Sequence, residues 1–243
     1  MISSKTTQIK PFYILCIISL IVPITFITTY AITEVRGDDD QIIPYISDTI
    51  DFAPESCIGT FGLSIIAFLM IIVVFIKHLI IKNNIIEKEY FDDKKEKKEL
   101  RFNRFSTSMG FISGLSMHGV SSFQFHNANL VHVIFAALFF LCGFIYLLTQ
   151  TILDIKNSSD IPLKVLIIRK ILICISCLFI GYIITQFFID NLAAIFEIMS
   201  ALSIFAYMVT FFYEFSNLTL NIEFSKSIKK INGNGGYHNI ESN

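Results

Sequence analysis

An all-α, polytopic membrane protein, with six transmembrane helices in one bundle and both termini in the cytosol, is the fold this sequence predicts. Three observations predict it. Of the 243 residues, 53% are hydrophobic, with 25 Phe and no Trp, and the mean hydropathy is +0.64; a soluble domain holds about 45–50% apolar residues. Six apolar stretches, at residues 12–32, 57–76, 105–125, 130–151, 171–188 and 192–213, approach the ~20 residues that cross ~30 Å of hydrocarbon. The basic residues are also unevenly shared among the connections. Eight lie in 82–104 and four in 154–170, whereas 33–56 holds only Arg36, and 124–129 and 189–191 hold none. Basic loops are retained in the cytosol, so 33–56 faces the other side.

The first stretch follows Lys5 and Lys10 and ends in Thr29-Tyr30-Ala31, resembling a signal peptide and its cleavage site. Its apolar part exceeds the ~7–15 residues of such a segment, so it reads as a retained anchor. The loop 33–56 carries seven carboxylates between Glu34 and Glu55 against one Arg. Within it, Pro44, Tyr45, Ser47, Asp48, Thr49, Pro54, Glu55 and Ser56 form a candidate recognition surface. Pro54 and Glu55 also suit the first turn of the second span, where Pro fits the backbone and an acid meets the helix dipole. The alternating charges of 82–104 read as a solvated helix extending that span, and as a docking surface for acidic lipid heads or a cytosolic protein partner.

The third stretch carries Ser106, Gly110 and Gly114 at four-residue spacing, a small-residue stripe that allows close helix approach. His118 continues the spacing and is expected to point into the bundle. Glu197 enters the sixth span at a similar depth. A carboxylate in hydrocarbon must be neutral or paired, so His118, Gln124 and Gln186 are its expected partners in one polar layer, structural or ligand-binding.

Other residues carry less. The five cysteines sit in or beside apolar runs, and Cys174-x-x-Cys177 has no second pair, so packing is the expected role. His126 and His132 flank a short turn without ligand spacing. The sequons at Asn157 and Asn217 fall on the cytosolic side and are expected to stay bare. The one-domain reading takes in 1–215, and the tail 216–243 is expected to be largely disordered. No nucleophile elbow, zinc-protease motif or phosphate loop is present, so no enzyme, cofactor or metal is expected; nor does the balanced charge suggest nucleic acid.

Several short motifs fall in order: Pro44-Tyr45-Ile46-Ser47-Asp48-Thr49, Pro54-Glu55-Ser56, Phe123-Gln124, Val131-His132, Cys142-Gly143-Phe144-Ile145-Tyr146 with Gln150, Glu197, Thr210-Phe211 and Glu214-Phe215. Together they resemble the FRAG/DRAM/Sfk family of six-span proteins, and within it the DRAM (damage-regulated autophagy modulator) branch. The resemblance implies a multi-pass protein of lysosomal or endosomal membranes that modulates autophagy without a catalytic motif, with membrane lipids as partners. Related branches imply two alternatives: a plasma-membrane scaffold for a phosphoinositide kinase or lipid organisation, and a Golgi factor for remodelling GPI-anchor lipids.

Overall fold

The computed structural model describes residues 6–38, 41–88, 93–158 and 161–223. Among these, the chain runs β1 (Thr6–Ile9), α1 (Phe12–Arg36), a short 3-10 turn (Asp48–Ile50), α2 (Glu55–Glu87), α3 (Asp93–Ser122), α4 (Phe125–Asn157), α5 (Leu163–Ser176), α6 (Leu178–Thr185), α7 (Asp190–Val209), α8 (Phe212–Ser216) and β2 (Leu220–Glu223). α3 packs along α2 and α4, α1 lies against α2, and α7 lies against α5 and α6. The core they share contains Met70, Val73, Tyr146, Leu147, Ile204, Met208 and Phe211.

Among the described residues, four segments are long and apolar enough to cross a membrane: Phe12–Arg36, Glu55–Glu87, Phe125–Asn157 and Asp190–Ser216. The other two expected spans differ from these in structure. α3 has 30 residues, but its first turns are charged and its remainder is rich in Ser and Gly. The stretch expected at 171–188 tightens by one turn at Cys177, which keeps a helical φ of -63° and divides α5 from α6, of 14 and 8 residues.

Local chemistry explains the element ends. α1 stops at Gly37, whose left-handed φ of 68° lets its N–H return to Thr33 O at 2.9 Å. The buried Thr25, Thr29 and Thr33 line one face of α1. Thr29 and Thr33 bond carbonyls of their own helix, at 3.2 and 3.1 Å, which satisfies both hydroxyls without water. The turn between α3 and α4 is shorter than the expected 124–129. It comprises Phe123 and an extended Gln124, followed by one irregular residue, Ala128.

The small-residue stripe of α3 is buried at Ser106, Gly110 and Gly114. A Cβ on Gly110 would lie 2.8 Å from Val74 and 2.9 Å from Tyr146, and one on Gly114 would lie 2.9 Å from Ile71. His118 breaks the expectation, because it faces outward. At ~3.6 residues per turn each four-residue step drifts by about 40°, so three steps from Ser106 carry it about 120° off the buried face.

α8 ends at Ser216, and β2 pairs antiparallel with β1, Thr6 opposite Glu223 and Ile9 opposite Leu220. The remainder of the expected disordered tail, 224–243, lies outside the described residues, as do 89–92 of the charged connection and Asp39 and Asp40 of the acidic loop.

Candidate functional site

At the end of the bundle that carries residues 41–56, the polar loop folds inward and becomes a plug. Pro44, Thr49, Ile50, Asp51, Glu55 and Ser56 are buried, and Tyr45, Ser47 and Asp48 are half-buried; only Pro54 of the candidate recognition residues is exposed. Hydrogen bonds to α4 and α7 help to seat the loop. Ile46 N–H donates to Glu197 Oε2 at 2.9 Å, His126 N–H donates to Asp51 Oδ1 at 2.9 Å, and Ile43 N–H reaches Asn191 Oδ1 at 3.4 Å. Ile50 sits directly over Gly59 of α2, where any Cβ would overlap it.

Glu197 is therefore a loop anchor. It is 7% exposed and is partnered by backbone, which supplies the hydrogen bonds that burial demands. The expected polar layer does not assemble around it. His118 Nδ1 instead lies 3.0 Å from Ser64 Oγ on the outer face. Gln124 stands just before α4 with no capping bond from its side chain, and its Oε1 accepts from Asn127 Nδ2 at 2.6 Å. Gln186, just beyond α6, donates to Ile183 O at 3.2 Å.

Beneath and beside the plug lies a cavity of about 870 Å³ that holds both Glu197 and Gln186 in its wall. Tyr45, Ser47, Asp48 and Asp190 complete its polar end, while Val133, Ala137, Leu141, Phe179 and Ile183 line its apolar part. His132 also faces it, with Nδ1 2.7 Å from Phe123 O, a bond that requires the proton on Nδ1. The Tyr45 phenol is pushed up to about 12, first by burial and then by the negative fields of Asp190, Glu197 and Asp48. The cavity thus joins a carboxylate-bearing polar end to an apolar slot.

The opposite end holds a charge cluster that the sequence reading missed. Lys77 of α2 lies 2.8 Å from Asp154 Oδ1 of α4 and 2.6 Å from Glu214 Oε1 of α8. Arg169 of α5 reaches Asp154 Oδ2 at 2.7 Å and Glu214 Oε2 at 2.9 Å. Gln150 donates to Asp154 at 3.0 Å, and Arg169 Nε donates to Thr210 Oγ1 at 2.9 Å. Phe211 presents its ring to both cations, each 5.0 Å from the centroid, an attractive placement. The Lys77, Asp154 and Arg169 side chains are fully buried, and Glu214 is 11% exposed. Two bases and two acids leave the cluster neutral, so it clamps four elements together and holds no spare charge. The signal in the sequence was charge within three residues of four span ends, at 76, 151, 171 and 213.

The model of the Frag1/DRAM/Sfk1/Cwh43P N-terminal domain matches residues 11–218, from the start of α1 past α8. The chain belongs to this family. It is 28% identical over 216 residues to DNA damage-regulated autophagy modulator protein 1 of Mus musculus, covering 81% of this chain and 87% of that protein. The Homo sapiens protein 1 matches with the same identity and coverage. DNA damage-regulated autophagy modulator protein 2 of Bos taurus is 29% identical over 152 residues, 63% of this chain. The match spans about half the length of that relative, 54%. No solved structure matches. The family member described here thus pairs a plugged amphipathic cavity at one end with a neutral ion clamp at the other.

Proposed function

We propose that this protein is a non-enzymatic modulator of autophagy in lysosomal or endosomal membranes, crossing the bilayer six times with both termini cytosolic. The observation that carries the reading is the 28% identity to autophagy modulator protein 1 across 87% of that protein. The six-crossing arrangement adds α3 and the continuous stretch α5–α6 to the four apolar spans. α3 buries Ser106, Gly110, Ser113, Gly114, Ser116, Gly119 and Ser121, and α5–α6 runs from Leu163 to Thr185 with only the tightened turn at Cys177. In this orientation the plug and the large cavity face the lumen. The ion clamp sits at the cytosolic boundary, beside the charged ends of α2 and α3. Lys156 bridges these ends, lying 3.4 Å from Glu99 while its carbonyl receives Lys88 Nζ at 2.7 Å. That surface is the one we assign to a cytosolic protein partner.

A tagged, functional copy imaged beside lysosomal, Golgi and plasma-membrane markers tests the reading, together with autophagic flux in cells deleted for the gene. Lysosomal residence and altered flux are expected. Residence only at the plasma membrane or Golgi with unchanged flux would move the protein to a lipid-organising or lipid-remodelling role.

A further inference from the structure

The geometry points to the plugged cavity as a binding site for a single-chain cationic lipid, a long-chain amino alcohol that enters from the leaflet on the loop side. Charge complementarity selects the head. Two carboxylates, Asp48 and Asp190, line the polar end beside the buried Glu197 carboxyl group, and no Lys or Arg is found among the described residues that line the cavity. Arg36, the single basic residue of 33–56, is held 2.6 Å from Asp38. An ammonium group entering here meets carboxylates together with the faces of Tyr45 and Tyr182, whose rings form an edge pair at 6.1 Å. Ser47, Gln186 and the two phenols supply hydrogen-bonding partners for a neighbouring hydroxyl. The same carboxylates reject fatty acids and phosphate-bearing heads by like-charge contact.

The apolar part selects the tail. Along α4 it runs from His132 to Leu141, nine residues or about 13 Å, close to the ~15 Å hydrocarbon depth of one leaflet. Val133, Ala137 and Leu141 are exposed on that face of α4, so the cavity opens toward lipid. Phe140 and Phe179, stacked at 6.5 Å, close its inner wall. A hydrocarbon chain lying along α4 in that slot passes the small Ala136 and Ala137 side chains.

The test uses full-length protein in micelles with radiolabelled sphingosine as probe, and stearic acid and lysophosphatidylcholine as competitors. Saturable binding is expected, with each competitor at least about tenfold weaker. Asp190→Asn and Ala137→Trp should each lower sphingosine affinity by about tenfold or more, one by removing head charge and the other by filling the tail slot. Elution as a monodisperse peak shows that each variant is folded, and Ala137→Trp lies on an exposed position chosen to leave the core intact. Equal or tighter binding of stearic acid or lysophosphatidylcholine would overturn the proposal, as would sphingosine binding unaffected by Ala137→Trp. Binding is read on purified protein, so its failure is distinct from failure of the autophagy reading.

Discussion

Arg169 is, by volume, the largest fully buried side chain among the described residues. Its guanidinium joins Asp154, Glu214 and Thr210 with no exposed surface, and a buried acid left without its cation costs far more than the pair contributes. Arg169→Met is therefore expected to lower stability by about 3–5 kcal/mol, measured by denaturant titration of solubilised protein. Removing Lys77 and Asp154 together, as Lys77→Met with Asp154→Leu, leaves the Arg169–Glu214 pair intact and neutral. The double variant should lose less than Asp154→Leu alone; a strictly additive loss would show that the four groups do not act as a unit. None of this was legible from hydropathy, because each of these charges sits beside the end of an apolar run and reads as a solvated boundary residue. Their burial is a product of tertiary packing. His118 failed for the opposite reason: a regular four-residue spacing drifts around a helix that turns every ~3.6 residues.

Elements explain what the individual residues cannot. The plug is held by backbone donors on side-chain acceptors, so its order depends on Glu197 and Asp51. Glu197→Ala strands the Ile46 N–H, at about 1–3 kcal/mol. Faster amide hydrogen exchange is expected across 43–50, while Glu197→Gln, which keeps an acceptor, should protect the loop much better. Unchanged exchange in the Ala variant would mean that the loop is held by its apolar contacts alone. On α3, a Cβ at Gly119 would overlap the Phe135 ring, so Gly119→Leu should cost about 1–3 kcal/mol. Ser108→Leu, on the exposed face, should be close to neutral; equal losses in the same titration would remove the packing argument. The stripe at Ser106, Gly110 and Gly114 was legible because small residues at helical spacing have few other uses in an apolar segment. The tightened turn at Cys177 was not, since its one polar neighbour, Ser176, turns back onto Ile173 O at 2.8 Å and looks like any serine in an apolar run.

At the scale of the molecule, the ends of the bundle have different chemistry. The loop end is acidic, hollow and plugged; the tail end is charge-balanced, clamped and tied by the β1–β2 pair. The charge bias of the connections anticipated this polarity, and the ordered motifs anticipated the family. The depth to which the acidic loop folds inward was not legible, because its polar composition is that of a solvated loop, whereas its seat depends on a carboxylate about 150 residues away in sequence. The account rests on that end facing the lumen, and glycosylation reads the orientation directly. A sequon-bearing insertion after Gly37, expressed in cells, should acquire a glycan removable by endoglycosidase while the native sequons at Asn157 and Asn217 stay bare. A glycan at Asn157 or Asn217, with none on the insertion, would contradict the account.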